Sequence, residues 1–329
     1  NDLLDEQQEE TMQLNVFKPL ALATMLAVTG TASQAADWQP SGPIKMMIAF
    51  RAGGGVDTQA RLLAEELSAR QGWEVIPENV AGKGGVTMAN ALSEEPADGL
   101  TLGMLVTESL TYNLLATRGA KISHEDFTAI ATTTGTQLAL FAKKSRGWEN
   151  FGDVVAAVKN GEKITVGSMS PKLADVLYLL GKANDVEFTN VMVKGGKGGL
   201  NGVVADDLDI AWGAGPQTKG VKAGELVNLI SAESDPLAAS PGTPKLADYG
   251  VPYEFGTKFL LVAPAGLPDE AREAIATAVA EIVNDPDSKL NEFVSKAFSG
   301  PEAITGAELD ALMDASAASA GALLDASSQ

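Results

Sequence analysis

Short apolar runs rich in β-branched residues alternate with stretches of helical periodicity along the chain after residue 43. The first run, Ile44–Phe50, is followed by a glycine-rich turn and then by a segment in which Leu62, Leu63 and Leu67 share one helical face. Alternating strands and helices are typical of α/β proteins, because parallel strands need a crossover connection, usually a helix. The sequence therefore predicts an α/β fold with mostly parallel sheets.

The pattern predicts strands at Ile44–Phe50, Trp73–Pro77, Leu100–Thr107, Phe127–Thr133, Gln137–Lys143, Lys163–Ser168, Phe188–Val193, Leu208–Trp212, Leu226–Ser231 and Lys258–Ala263. It predicts helices at Thr58–Arg70, Val86–Glu94, Phe151–Lys159, Leu173–Lys182, Leu200–Ala205, Pro268–Asn284 and Ala307–Leu324.

These strands and helices form two successive sets, which indicates two lobes. Two apolar, strand-like segments, Gln137–Lys143 and Gly256–Ala263, are where we expect the chain to pass between the lobes. Lobe 1 then combines 37–138 with 259–329, and lobe 2 is 139–258. Two crossing strands form a hinge and leave a cleft between the lobes, which is where ligands usually bind.

The composition argues against several functional classes. Acidic residues outnumber basic residues 43 to 24, and the net charge of −19 disfavours nucleic-acid binding, which requires a positive surface. The absence of cysteine excludes disulfides, thiolate zinc sites and thiol catalysis. A single histidine, His124, leaves little basis for a Ser-His-Asp triad or a multi-histidine metal site. We therefore expect no catalytic residue, no metal and no cofactor.

Residues 1–36 are predicted to be an amino-terminal extension followed by a secretory signal peptide. Lys18 precedes an apolar run from Pro19 to Val28, and Ser33 and Ala35 occupy the −3 and −1 positions of a small-residue cleavage site. The run is shorter than the roughly 20 apolar residues that span a bilayer. Cleavage near Ala35/Ala36 would release an exported protein, whereas the alternative is a buried helix of the mature fold.

Three glycine-rich loops carry most of the functional information: Phe50–Asp57, Ala81–Gly85 and Lys194–Gly199. Each follows a predicted strand and precedes a helix, where free N–H groups and the helix dipole favour an anion. The second and third share Gly-Lys-Gly-Gly before an apolar residue, and one lies in each predicted lobe. Their spacing fits neither a dinucleotide fingerprint nor a phosphate loop. The glycines either serve tight turns or form two facing anion sites that suit a ligand with a carboxylate at each end.

We predict that Gly53–Gly55 and Gly84–Gly85 hold one carboxylate, and that Ser170 with Gly195–Gly196 holds the other. The complete predicted ligand site is Phe50, Ala52, Gly53, Gly54, Gly55, Asp57, Gly82, Gly84, Gly85, Thr107, Ser109, Ser168, Ser170, Lys194, Gly195, Gly196 and Trp212.

Three members of this set have a second interpretation. Asp57 is also suited to cap the helix that begins at Thr58. Lys194 is either a solvated loop charge or a point charge for the ligand. Trp212 belongs either to the core or to the wall of the cleft.

The run Ile48–Asp57, which reads Ile-Ala-Phe-Arg-Ala-Gly-Gly-Gly-Val-Asp, resembles the opening of the Bug-type periplasmic receptors, the substrate-binding proteins of tripartite tricarboxylate transporters. Further similar motifs are Ala60–Ala64, Glu78-Asn79, Gly82–Gly85, Asp98–Leu102, Asp126–Thr128 and Ala263–Pro268. The chain departs from the family pattern at Val193, Gly167–Pro171 and Pro244–Asp248, all in predicted lobe 2.

The resemblance implies a type II-like, two-lobe periplasmic-binding-protein fold with a closing cleft. It also implies a small carboxylate ligand held largely by backbone N–H groups and waters, and membrane transporter subunits as partners. We expect a periplasmic monomer that binds no nucleic acid. The alternatives are the same fold acting as a ligand sensor for a signalling kinase, or a periplasmic hydrolase or isomerase. A nucleophile elbow or clustered acid–base residues would indicate an enzyme, and the sequence contains neither.

Overall fold

The computed structural model describes residues 38–253 and 255–328, which form two five-stranded sheets with helices packed on them. The predicted signal peptide lies outside these residues. Within them, no helix is both long and apolar enough to span a membrane.

The strands are β1 (Ile44–Ile48), β2 (Val75–Asn79), β3 (Thr101–Val106), β4 (Phe127–Gly135), β5 (Ala139–Lys143), β6 (Thr165–Ser168), β7 (Thr189–Met192), β8 (Ile210–Gly213), β9 (Leu226–Ser231) and β10 (Lys258–Pro264). The α-helices are α1 (Gly55–Gln71), α2 (Val86–Ser93), α3 (Thr107–Leu110), α4 (Tyr112–Ala116), α5 (Phe151–Lys159), α6 (Pro171–Asn184), α7 (Gly195–Val204), α8 (Thr218–Lys222), α9 (Asp269–Asn284), α10 (Lys289–Ala297) and α11 (Gly306–Ser327).

The two sheets have the same topology. Sheet 1 has the order β2-β1-β3-β10-β4, and sheet 2 has the order β7-β6-β8-β5-β9. The first three strands of each order are parallel, whereas the fourth is antiparallel to both of its neighbours. Because the fifth strand is antiparallel to the fourth, it runs in the same direction as the first three, so four of the five strands in each sheet are parallel to one another, as predicted. In each sheet the fourth strand arrives from the other sheet without a crossover helix, so it pairs antiparallel.

The crossing strands are β5 and β10. The chain leaves β4 through residues 136–138 to enter β5, and leaves β9 through 232–257 to enter β10. The two passages are joined directly, because the Thr136 N–H donates to the Thr257 carbonyl at 3.0 Å. This arrangement matches the two predicted crossings, while the exact lobe boundaries stay a prediction.

The carboxy-terminal helix α11 contributes to the apolar cores of both sheets. Leu309 and Met313 near its start are buried with residues of sheet 1, whereas Ala320 and Leu323 near its end are buried with residues of sheet 2. Tyr112 of α4 is also buried in the sheet 2 core. The core of the second sheet therefore includes side chains from both segments of the predicted lobe 1 sequence.

Two helices begin three or more residues before their predicted starts. Helix α1 begins at Gly55 rather than at Thr58, and α7 begins at Gly195 rather than at Leu200. Glycine lowers helix propensity, which is why the pattern placed these residues in loops. The sequence pattern also missed α3, α4 and α8, which have four or five residues each, too few to show helical periodicity. It missed the nine-residue helix α10 as well.

Candidate functional site

The predicted loops lie at the carboxyl ends of parallel strands. In sheet 1 the first two glycine loops and α3 follow β1, β2 and β3, and in sheet 2 the segments at Ser168–Ser170, Lys194 and Ala214–Gln217 follow β6, β7 and β8. Carboxyl ends of parallel strands meet at one edge of a sheet, the usual ligand-binding edge of an α/β fold. The fold thus gathers the predicted residues of each lobe at a single edge.

The second glycine loop packs closely against α3 and α4. The backbone of Gly85 has a φ of 101°, and a Cβ there would lie 2.4 Å from Ser109 Oγ, so only glycine fits. The Asn113 side-chain amide donates to the Gly84 carbonyl at 2.9 Å. Ser109 Oγ and Asn113 Oδ1 are buried and have no hydrogen-bond partner within the described residues. Two polar atoms beside this loop are therefore available to a ligand or to water.

Asp57 does not cap α1, because the helix begins two residues before it. Its carboxylate instead turns back to the first loop and accepts the Gly53 N–H at 2.9 Å, the Asn79 side-chain amide at 2.8 Å and Arg61 Nε at 2.9 Å. Burial acts to raise the pKa of Asp57, but these three donors together hold it below its ordinary value. Asp57 therefore shapes the loop, and it occupies one of the predicted N–H donors.

Replacing Asp57 with alanine is expected to destabilise the protein by about 2–4 kcal/mol, since three donors lose their acceptor. Because the folded pKa lies below the ordinary value of 3.8, this stabilisation is present above that pH and lost as the pH falls through the folded value. Thermal unfolding at pH 7 and at pH 3 measures both effects. The exposed variant Glu65→Ala, on the same helix, is the control. An equal loss in both variants at pH 7 would contradict the role of Asp57.

Not every predicted N–H group is available. The Gly53 N–H is bound by Asp57, the Gly85 N–H donates to the Gly82 carbonyl at 2.9 Å, and the Gly195 N–H donates to the Val193 carbonyl at 3.1 Å. The remaining predicted glycines have no N–H acceptor among the described residues: Gly54, Gly55, Gly82, Gly84 and Gly196. Five backbone donors from the two lobes thus remain for a ligand.

The predicted residues of lobe 2 have mixed roles. Ser168 Oγ is buried without a partner among the described residues. Ser170 is the N-cap of α6, and its hydroxyl accepts the Leu173 N–H at 3.4 Å. Lys194 is exposed at the N-cap of α7. Gly199 lies inside α7, packed against β8, so part of the third glycine run serves helix packing rather than a loop.

Trp212 is buried within sheet 2, and Thr107 connects two elements of sheet 1. Trp212 is fully buried in the apolar core of sheet 2, although its indole N–H has no partner among the described residues. Of the two alternatives for Trp212, the structure places it in the core. The Thr107 hydroxyl accepts the Lys258 N–H at 3.2 Å and so joins α3 to β10. Of the first-loop residues, Ala52 is exposed, and the Phe50 carbonyl accepts the Asn79 side-chain amide at 2.9 Å.

The first loop of sheet 1 and the loop after β8 of sheet 2 lie on the same aromatic ring, that of Phe298. A Cβ at Gly55 would lie 2.8 Å from Cζ of this ring, and a Cβ at Gly215 would lie 2.6 Å from its Cε1. Gly196, in the third predicted loop, lies close to Pro216, which follows Gly215 in the loop after β8. The first loop of sheet 1 and the loop after β8 of sheet 2 are therefore neighbours in space, and the third predicted loop packs against the latter.

Sequence reasoning missed three charged residues that are buried near the hinge: Glu108, Lys172 and Glu233. They are 8%, 7% and 7% exposed, respectively. Glu233 accepts the Leu138 N–H at 2.7 Å and the Thr136 hydroxyl at 2.5 Å, and so connects the two passages between the sheets. Lys172 precedes the predicted helix start at Leu173, and only the observed start at Pro171 places it in the first turn, where a lysine opposes the helix dipole.

Two cavities lie away from these residues. One, of about 270 Å³, is lined by His124, Arg272 and Asp310, among others, and one, of about 870 Å³, lies along α6 beside the start of β7. None of the predicted ligand residues lines either cavity. His124 lies 3.2 Å from Asp314, and no group of three or more His, Asp or Glu side chains in residues 38–253 and 255–328 could hold a metal ion. Because neither cavity includes the predicted ligand residues, we identify the candidate site by its polar atoms that lack partners among the described residues.

The chain matches the family TctC, the tripartite tricarboxylate transporter family receptors, over residues 59–326. The chain belongs to this family. The match includes parts of both sheets and confirms the Bug-type resemblance. Members of the family are periplasmic solute-binding receptors rather than enzymes. The protein BugT of Bordetella pertussis is 27% identical to this receptor over 275 residues, which cover 77% of this chain and 80% of BugT.

Two solved structures share the fold of the receptor. Rpa4515 of R. palustris with adipate has a TM-score of 0.76 at 22% identity, and covers 89% of this chain and 99% of its own. MatC (Rpa3494) from Rhodopseudomonas palustris with bound malate has a TM-score of 0.73 at 20% identity, and covers 87% of this chain and 99% of its own. These likenesses confirm the predicted two-lobe periplasmic-binding-protein fold.

Proposed function

We propose that the receptor binds a small carboxylate, namely a di- or tricarboxylate or a related organic acid, between its lobes and delivers it to the membrane subunits of a tripartite tricarboxylate-type transporter. The carrying observation is that the buried hydroxyl groups of Ser109 and Ser168, which can donate to a carboxylate, lack partners within the described residues. Buried polar groups are generally hydrogen-bonded, so a ligand or ordered water supplies the missing partners. That Rpa4515 and MatC hold adipate and malate supports an organic acid.

The available donors are sufficient for a useful affinity. Micromolar binding requires about 8 kcal/mol, and a charge-assisted hydrogen bond contributes roughly 1.5–3 kcal/mol. The five unpaired glycine N–H groups therefore account for such an affinity without a buried arginine. The negative charge of the whole chain opposes approach only weakly, because charges beyond about 8 Å are screened at physiological salt.

A calorimetric and thermal-shift screen tests this function. The panel holds dicarboxylates, tricarboxylates and aromatic acids, each beside an amide isostere of the same shape. We expect at least one acid to bind and its isostere to fail, because N–H donors gain most from a charged acceptor. A panel in which no acid binds, or in which the amides bind equally well, would contradict a carboxylate receptor.

Gly54→Val is expected to abolish the ligand-induced rise in melting temperature while leaving the unliganded protein folded. Gly54 has an extended backbone with a φ of −85°, and a Cβ there would meet only the Arg51 carbonyl at an ordinary 3.5 Å. The added isopropyl group therefore blocks the approach to the loop N–H groups without strain. Gly195→Val is a poorer test, because Gly195 has a φ of 72° and valine would strain the backbone.

Gly42→Val is the matched control, since a Cβ at Gly42 would meet nothing within 4 Å. Both variants are compared by thermal shift with the best acid of the panel. Full ligand-induced stabilisation in Gly54→Val would exclude the first loop from the site.

Export is part of the same proposal. The predicted signal peptide would be removed after Ala35, leaving a periplasmic monomer that begins at Ala36. Mass spectrometry of the periplasmic fraction determines the first residue, and light scattering of the purified protein determines the oligomeric state.

A further inference from the structure

Three consecutive residues of the short helix α4 contact three different parts of the protein. The side chain of Tyr112 is fully buried in the apolar core of sheet 2, whereas that of Leu114 is buried in a core cluster of sheet 1. The side-chain amide of Asn113, between them, donates to the Gly84 carbonyl of the second glycine loop at 2.9 Å. Helix α4 therefore joins the cores of both sheets to a predicted ligand loop.

The Tyr112 hydroxyl also makes a specific contact with the other half of the site. It donates a hydrogen bond to the carboxylate of Asp175 on α6. Asp175 lies five residues after Ser170, which is the N-cap of the same helix and a predicted ligand residue. This one hydrogen bond thus connects the helix that holds the second glycine loop to the helix that begins at Ser170.

The contact between Tyr112 and Asp175 is enclosed by packed helices. Helix α11 contacts both α4 and α6, and its Leu323 is buried in the same apolar cluster as Tyr112. Burial and the Asp175 carboxylate both raise the pKa of the Tyr112 hydroxyl, so the hydroxyl stays protonated and donates. Because Tyr112 has no exposed surface, water does not readily replace Asp175, and loss of the bond is costly.

Building on the proposed function, we infer that Tyr112 and Asp175 are positioning residues for ligand binding. Their hydrogen bond fixes α6 relative to α4, and α4 in turn fixes the second glycine loop through Asn113. Without the bond, Gly84–Gly85 and Ser170 lose the fixed spacing that a single ligand requires, and a less preorganised site binds more weakly. Neither positioning residue contacts the ligand in this scheme, so its loss weakens every acid by the same factor.

Amide hydrogen exchange of the ligand-free protein tests this coupling without any ligand. Tyr112→Phe keeps the buried ring and removes only the hydroxyl. We expect peptides covering residues 82–90 and 111–117 to exchange at least about fivefold faster than in wild type, because these segments open more often once α4 is released from α6. The first glycine loop is held by Asp57 instead and is the internal reference.

Isothermal titration calorimetry with malate, adipate and citrate tests the consequence for binding. Tyr112→Phe and Asp175→Leu are each expected to weaken every acid that binds wild type by at least about fivefold. This factor corresponds to about 1 kcal/mol, a value within the net contribution of a single hydrogen bond. The double variant is expected to bind as weakly as either single variant, because all three lack the same bond.

Two further variants separate positioning from a purely structural role. Asp175→Asn keeps an oxygen that accepts the Tyr112 hydroxyl, and we expect it to bind within about twofold of wild type. Tyr178→Phe removes the hydroxyl of an exposed tyrosine on the same helix and is expected to match wild type in both measurements. The melting temperature of each ligand-free variant verifies that it is folded. A purely structural role would lower this temperature without changing the affinity or the exchange of residues 82–90.

Three results would overturn the inference and leave the proposed function intact. The first is wild-type exchange of residues 82–90 in Tyr112→Phe. The second is wild-type affinity in both Tyr112→Phe and Asp175→Leu. The third is a changed order of preference among the acids, which would mean that one of these side chains contacts the ligand directly. If no acid of the full panel binds wild type, the proposed function fails, whereas faster exchange in Tyr112→Phe still supports the coupling of α4 and α6 to the loop.

Discussion

Raising the pH from about 4.5 to about 8 is expected to destabilise the wild-type receptor, and Glu233→Gln is expected to remove most of this dependence. Burial raises the pKa of Glu233 from 4.5 to about 8, and the hydrogen bonds from Thr136 and Leu138 only partly oppose it. Between these two pH values the Glu233 carboxyl loses its proton in the unfolded chain but keeps it in the folded chain. The contribution of Glu233 to the free energy of unfolding is therefore complete below pH 4.5 and declines as the pH rises towards 8. The slope is at most about 1.4 kcal/mol per pH unit.

Chemical unfolding at half-unit pH intervals measures the slope. Glutamine keeps an oxygen that accepts the Thr136 hydroxyl and the Leu138 N–H, so the substitution removes the titration and preserves the contacts. Glu94→Gln, at an exposed position, is the control. Lys172 and Lys258 also face Glu233, and burial lowers the pKa of Lys172, which acts in the opposite direction. The series is therefore repeated in Lys172→Met. Equal slopes for wild type and Glu233→Gln in both backgrounds would show that Glu233 does not titrate as expected.

Gly215→Ala is expected to destabilise the receptor by about 3 kcal/mol, since it combines backbone strain with overpacking. Gly215 has a φ of 151°, and a Cβ there would lie 2.6 Å from the Ala297 carbonyl oxygen and 2.6 Å from Phe298. The carbonyl belongs to the backbone and cannot rotate away. Gly215 lies in the loop after β8 of sheet 2, whereas Phe298 packs on Phe259 of sheet 1. We therefore expect the substitution also to push the two lobes apart at the candidate site.

Gly224→Ala distinguishes strain from overpacking. Gly224 also has a left-handed backbone, with a φ of 74°, but a Cβ there would meet nothing within 4 Å. We expect it to cost about 1 kcal/mol, so thermal unfolding resolves the two variants by several degrees. Gly215→Ala should also weaken acid binding, whereas Gly224→Ala should leave it unchanged. Similar melting temperatures in the two variants would mean that the lobes do not meet closely at Phe298.

Local patterns in the sequence were sufficient for most of the secondary structure. Helix α5 and strand β9 have the predicted bounds, because Asn150 caps a short amphipathic helix and Leu226–Ser231 is a compact apolar run. The pattern failed where propensity and packing disagree, as at Gly195–Gly199, which are helical because α7 packs closely on β8. Antiparallel insertion of β5 and β10 was also not predictable, since strand order depends on contacts between residues far apart in the chain.

The α/β class, the two crossings between sheets and the glycine loops at strand ends are all encoded by neighbouring residues, so they can be predicted without the structure. Which N–H groups remain free depends instead on contacts between distant parts of the chain. The Gly53 N–H is bound by an aspartate that was expected to cap a helix, whereas the N–H groups of Gly54 and Gly55 have no acceptor among the described residues. Hydrogen-bond availability is a property of the assembled fold, so no local pattern in the sequence shows it.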